Sequence, residues 1–168
     1  MDVAPSLAGF GLTLEPLREA DFDALSLAAS DPLIWEQHPN KERGTPEGFA
    51  PYIADMFKGG GMLVARRGDA VIGMSRFYEC PEAPGRWAIG YTFLVRSEWG
   101  GATNKAMKSL MLEHAFQTEP AIYFHIAEDN LRSQHATAKL GAVRVPGVGP
   151  GNASQRWELT KSAWSAAS

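Results

Sequence analysis

The chain has 168 residues, 45% of them hydrophobic and 21% charged, which suits one globular domain with a sizeable core. Sixteen Lys and Arg against 19 Asp and Glu give a net charge of −3, which implies no basic surface of the kind that binds phosphate backbones and argues against nucleic acid as a partner. No stretch approaches the roughly 18 apolar residues of a bilayer span, and the single cysteine, Cys80, excludes an internal disulfide and a cysteine-built metal site.

The amino-terminal MDVAPSLAGF lacks a basic and an apolar leader segment, so the expectation is a cytoplasmic protein with no membrane partner. Leu12 to Leu17 alternates as a first strand, and Phe22, Leu25 and Ala29 share one helical face that Asp31 and Pro32 close. Thr45, Pro46 and Glu47 start a second helix, with Phe49, Ile53 and Phe57 as its apolar stripe and Gly59 to Gly61 as its end. Met62 to Arg66 and Ala70 to Tyr78 flank Arg67, Gly68 and Asp69, a hairpin with a three-residue turn. After the Pro81 to Gly85 loop comes a strand over Arg86 to Val95, then a helix marked by Met107, Leu110, Met111 and Ala115. Ala121 to Ala127 is the next strand, Asn130 to Leu140 a helix stopped by Gly141, and Ala142 to Val145 and Gln155 to Leu159 the last strands. A hairpin connection over Pro146 to Asn152 joins them.

This order predicts an α/β (α+β) fold: one mixed, mostly antiparallel sheet of about seven strands with about four helices on its faces. A single domain over 1–168 is expected, with 1–10 and 161–168 peripheral. The helix between the fourth and fifth strands supplies the crossover that a parallel neighbour needs.

The junction at Val95 to Asn104 carries the most chemical information. A strand ends, Gly100 and Gly101 allow close backbone approach, and a helix begins at once. Free N–H groups at a helix start, reinforced by the helix dipole, bind phosphate oxygens. Lys105 and Lys108 oppose that dipole unless an anion offsets them. Neither GxGxxG nor a GxxxxGK motif occurs here, which argues against dinucleotide binding and nucleotide hydrolysis. Cys80 reads as a buried spectator thiol, because a nucleophilic cysteine needs an electropositive setting.

Three segments, LTLEPLREADFDAL, WAIGYTFLVRSEWGGAT and EDNLRSQHATAKLGA, occur in this order between Leu12 and Leu159. Together they resemble the GNAT superfamily, and within it the branch that includes ribosomal-protein N-acetyltransferases; Asn130, Ser133, Lys139, Leu140 and Gly141 match that branch's last motif. The resemblance implies acetyl-CoA as co-substrate and an amine acceptor, either a small molecule or a protein amino terminus. It implies that Phe93, Leu94, Val95 and Arg96 offer backbone groups to the pantetheine arm. Gly100, Gly101, Ala102, Thr103, Asn104 and Lys105 would cradle the pyrophosphate, with Trp99 beside them. Asn130 would hold the arm, Arg132 would also contact the cofactor, and Ser133, near the sulfur, would protonate the departing thiolate. Trp35 and His38 fall where the family forms its acceptor wall, and family members often dimerise. No metal is implied.

The chain also departs from the family pattern. Ser97 stands where Gln or Arg begins the pyrophosphate motif, Thr137 where many relatives carry a Tyr, and Ala88 where relatives often carry a Glu. The proton acceptor is then His125, Glu79, Glu128 or a water chain. Strand alternation places His125 on one face with Tyr123 and Ala127, opposite Ile122, Phe124 and Ile126. A competing reading is a module that binds CoA with little or no catalysis.

Overall fold

The computed structural model describes residues 1–147, 149 and 155–168. Among them eight strands form one sheet in the order β1-β2-β3-β4-β5-β6-β8-β7, accompanied by five α-helices. The architecture matches the expected mixed, mostly antiparallel class, with one more strand and one more helix than the sequence pattern indicates. The chain divides into two compact units: Asp2–Arg76 with Tyr91–Glu113, and Met1 with Phe77–Gly90 and His114–Ser168.

In the first unit, β1 (Leu7–Gly9) and β2 (Leu12–Pro16) are antiparallel, with Gly9 opposite Leu12. The two residues between them, Phe10 and Gly11, have φ of 55° and 73°, the left-handed pair that a tight two-residue hairpin turn demands. The amino-terminal residues assigned to the periphery thus supply an edge strand. α1 (Phe22–Ala28) follows, and Asp31 then caps a short 3-10 turn, Pro32–Trp35, by accepting from the Leu33 N–H. α2 (Pro46–Gly59) starts where the sequence indicates: the Thr45 hydroxyl accepts from Gly48 N–H.

β3 (Met62–Arg67) pairs antiparallel with β2 and with β4 (Ala70–Glu79). Arg67 is opposite Ala70, so the connecting turn is Gly68 and Asp69 rather than three residues, with Gly68 at φ 60°. Glycine in the first central position relieves the steric cost of that turn. The core gathers Leu25, Trp35, Phe49, Ile53, Val64, Met74 and Phe93, and the Trp35 and Phe93 rings lie 5.8 Å apart. β5 (Trp87–Leu94) passes through Tyr91 at φ 52° and leads by a 3-10 turn, Arg96–Glu98, to α3 (Thr103–Ala115).

In the second unit, β5 and β6 (Ala121–Ile126) run parallel, with Ala88 opposite Tyr123. This is the expected crossover geometry. β6 pairs antiparallel with β8 (Gln155–Thr160), and β8 with β7 (Val143–Val145). α4 (Leu131–Lys139) is capped by Asn130. The hairpin connection expected over Pro146 to Asn152 lies largely outside the described residues. α5 (Lys161–Ala167), in the segment expected to be peripheral, stacks Trp164 on Phe116 with ring centroids 5.4 Å apart. No described helix is long and apolar enough to cross a membrane.

Candidate functional site

The strand end of β5 is anchored before the glycine turn begins. Phe93 and Leu94 are buried, Val95 N–H donates to Ile72 O at 2.8 Å, and Trp99 Nε1 donates to Leu94 O at 2.9 Å. The side chains of Phe93 and Leu94 therefore serve packing, and the Trp99 indole N–H is turned back onto its own loop. Val95 O and Arg96 O accept from Glu98 N and Trp99 N, closing the 3-10 turn. Arg96 extends to Asp31, Nε to Oδ2 2.9 Å, beside a cavity of about 490 Å³ lined by Leu27, Ala28, Ser30, Asp31, Val95, Arg96 and Ser97.

The turn itself is open. Gly100 has φ 73°, and a Cβ built on Gly100 or Gly101 would meet nothing within 4 Å. Residues 100 to 102 and Lys105 are exposed, and Asn104 is half-buried. Ala106 N–H bonds back to Ala102 O at 2.9 Å, so the N–H groups just before Ala106 form the unpaired start of α3. This open start, with two glycines and no side chain over it, fits a diphosphate group.

Four polar residues here, Glu98, Arg67, Thr103 and Lys108, make contacts that the sequence does not reveal. Glu98 stands at the same helix start, where a lone carboxylate would repel an incoming phosphate. Arg67 neutralises it through two bonds of 3.1 Å, and Thr103 Oγ1 donates to it at 2.5 Å. The hydrogen bonds from Arg67 and Thr103 hold the Glu98 carboxyl below its ordinary range against the opposing effect of burial. Thr103 is buried, so its contribution to the cradle is limited to its backbone. Lys108 does not face an anion at the helix start. It lies one turn further on, buried, and donates to Ser75 Oγ at 3.1 Å and Thr92 Oγ1 at 2.7 Å. Its spacing from Lys105 suggested a second surface cation, but α3 turns position 108 inward.

Trp35 and His38 have different fates. Trp35 is buried in the core, with Nε1 donating to Ala29 O at 2.8 Å. His38 is half-buried, packs edge-on against Trp35 and accepts from Asn40 N–H at Nδ1. Burial lowers the His38 pKa, Arg43 lowers it further and Glu42 opposes them.

In the second unit, the Asn130 side chain accepts from Ser133 N–H at 3.2 Å, which places Ser133 in the first turn of α4. Ser133 is half-buried, and its hydroxyl bonds to no other described residue; Arg132 is exposed. Glu79 accepts from Gly85 N–H at 2.6 Å and thereby closes the β4–β5 loop, while Glu128 pairs with Arg144 on the surface. Among the proton-acceptor candidates, His125 has a covered side chain that meets a buried tyrosine on one side and an exposed carboxylate on the other. Nδ1 is 2.7 Å from Tyr78 Oη and Nε2 is 2.7 Å from a Glu82 carboxylate oxygen. Sequence reasoning missed Glu82 and Tyr78, because a loop acid and a strand tyrosine carry no spacing signal.

Cys80 Sγ, the Glu82 carboxylate and a His125 ring nitrogen all lie within 4.8 Å of one another. Two features disfavour a dication there. Burial pushes the Cys80 thiol up to about 11, keeping it protonated, and the Arg156 guanidinium sits 3.4 Å from Glu82.

The acetyltransferase (GNAT) domain family matches residues 11–143. The chain belongs to the GNAT acetyltransferase family. Its activity is therefore acyl transfer, and members of the family use acetyl-CoA. No curated protein matches the chain. Among solved structures, a GCN5-related N-acetyltransferase from Brucella melitensis superposes with a TM-score of 0.79 at 17% identity, covering 97% of this chain and 81% of that one. The acetyltransferase from Agrobacterium tumefaciens str. C58 gives 0.68 at 22% identity, over 94% and 95% of the two chains. RimJ from Mycobacterium smegmatis, in complex with CoA-disulfide, gives 0.66 at 17% identity, over 94% and 87%. At these identities the likenesses establish the GNAT fold.

Proposed function

We propose that this GNAT protein transfers the acetyl group of acetyl-CoA to a primary amine, a small amine or a protein amino terminus, by direct attack of the neutral amine on the thioester. The observation that carries this reading is the bare helix start at Gly100 and Gly101. Its space is open, its N–H groups are unpaired and the one acid at its edge is neutralised by Arg67. The pyrophosphate would be held by backbone N–H groups, with Asn104 and Lys105 as side-chain partners. Arg96 and Trp99 contribute less directly, since both are engaged within the loop and with Asp31. Asn130 and Arg132 are assigned to the pantetheine arm, and the Ser133 hydroxyl to protonation of the thiolate. His38, half-buried, is better placed than the buried Trp35 to meet an acceptor.

One observation favours a second reading, CoA binding without turnover: Ala88 on β5 is fully buried and supplies no carboxylate. CoA titration beside thiol release from acetyl-CoA over a panel of amines separates the two. Gly101→Val adds bulk where nothing else stands, so the fold should persist while CoA affinity falls at least about 10-fold. Ser133→Ala should lower turnover about 10-fold or more with CoA affinity retained. Unchanged CoA affinity in Gly101→Val would overturn the placement of the cradle. Binding with no turnover on any amine would favour the second reading.

A further inference from the structure

A carboxylate beside an anion site is a competitor for that site as well as a repelling charge. The N–H groups at a helix start attract any anion within reach, and a side chain tethered a few residues away is present at high effective concentration. Glu98 is such a group. It lies five residues before Thr103, the first residue of α3, and its Oε2 accepts the Thr103 hydroxyl proton at 2.5 Å. The Thr103 N–H itself belongs to the unpaired set, since Ala106 N–H bonds to Ala102 O. The carboxylate therefore stands one side chain away from the groups assigned to the diphosphate.

What holds it aside comes from another part of the chain. Arg67 ends β3 and grips the carboxylate at two points across 31 residues of sequence, Nε to Oε1 3.1 Å and Nη2 to Oε2 3.1 Å. Nη2 also donates to Thr103 Oγ1 at 3.2 Å, so one guanidinium fixes both the acid and the hydroxyl that the acid touches. A planar fork of this kind sets direction as well as charge. The third nitrogen, Nη1, lies against the β1–β2 turn, where a Cβ on Gly11 would fall 3.3 Å away. Arg67 is thus confined between that turn and Glu98, although its side chain is 45% exposed.

Among the described residues Arg67 is the cation that pairs with Glu98. Arg96 is held by Asp31 at 2.9 Å, Lys108 is buried against Ser75 and Thr92, and Lys105 is exposed. Hydrogen bonds from Arg67 and then from Thr103 lower the Glu98 pKa against the opposing effect of burial, so the carboxyl is ionised at neutral pH. Without Arg67 it would be an unbalanced negative charge at a helix end whose dipole draws it in.

We propose that Arg67 is a positioning residue for CoA, a role that rests on the acetyl-CoA reading above: it latches the Glu98 carboxylate away from the start of α3, which this acid would otherwise occupy in place of the diphosphate. The cradle carries its own inhibitor, and the end of β3 keeps the cradle open. Arg67 acts through Glu98 and touches no reacting atom. Loss of the guanidinium and loss of the carboxylate then have opposite consequences. A contact that merely braced the loop would weaken CoA binding whichever partner was removed, and the double variant would be no better than the singles.

The test is CoA titration at low ionic strength on Arg67→Gln, Glu98→Gln and the double variant, with a thermal melt of each to verify the fold. Arg67→Gln should lose about 10-fold or more in CoA affinity, while Glu98→Gln should bind at least as tightly as the parent. The double variant should return to within about 3-fold of the parent. The loss in Arg67→Gln should shrink as salt is raised, because the charge of Glu98 is then screened. Weaker binding in both single variants with no recovery in the double, or equal affinity in all four proteins, overturns the latch and leaves the cradle in place. A parent that binds no CoA overturns the cradle and the latch together. Should Arg67→Gln fail to fold, Glu98→Gln decides: a brace requires it to bind CoA more weakly than the parent, and the latch requires that it does not.

Discussion

Lys108 carries an ammonium to a place from which water is excluded. Burial lowers its pKa from 10.5 to about 7. Between those values the unfolded chain binds the proton and the folded chain does not, so stability rises with pH from about 7 to 10.5. Below pH 7 both states hold the proton and the full cost remains. Lys108→Met removes that cost, and the hydroxyls left behind still satisfy each other, Ser75 Oγ to Thr92 Oγ1 2.7 Å. At pH 6 the variant should melt on the order of 5 °C above the parent, and the gain should shrink by pH 10. An equal gain at both values, followed by thermal melts, would refute the depressed titration. The residue also marks a limit of reading from sequence. Positions 105 and 108 lie three apart on a helix and so share a side in first approximation. Only the packing of α3 decides that Lys105 stays in solvent while Lys108 reaches two hydroxyls on β4 and β5. His125 was legible as a candidate because β6 alternates cleanly. Its partners were not, since Glu82 lies in a loop that returns to the histidine from 43 residues away.

At the scale of elements, the open end of β5 depends on a glycine in its neighbour. A Cβ on Gly73 of β4 would lie 2.1 Å from Phe93 O and 3.1 Å from Leu94 Cα, contacts with backbone that no rotamer change relieves. The adjacent Ile72 O holds Val95 N–H at 2.8 Å, so displacement here moves the strand end that leads into the cradle. Gly73→Ala should destabilise by about 2 kcal/mol and weaken CoA binding, whereas Gly101→Ala, in open space, should leave the melt almost unchanged. Denaturant melts of the two variants compare a blocked close approach with an unobstructed one; equal midpoints would show that β4 and β5 separate without cost. Helices and central strands were legible because their apolar periodicity and caps agree, as Thr45 with Gly48 shows. β1 was not, because its turn uses Phe10 at φ 55° where Asn or Gly gives the usual signal. α5 was missed for a related reason. Lys161 to Ala167 contains one large apolar residue, and Trp164 gains its partner from the distant Phe116.

At the scale of the molecule, the two compact units are cut from the chain in an unusual way. The boundaries between Arg76 and Phe77, Gly90 and Tyr91, and Glu113 and His114 fall inside β4, β5 and α3. Neither unit can melt alone without breaking elements that also belong to the other, and helix and strand formation are cooperative along their length. We therefore propose that the chain unfolds as one domain. The calorimetric and van't Hoff enthalpies should agree within error and one transition should be seen. CoA at 100 times its dissociation constant should stabilise the folded state by about 2.7 kcal/mol, raising that single transition by roughly 8 °C. Two resolved transitions, with CoA raising only the one that reports the cradle, would show that the units behave as separate domains.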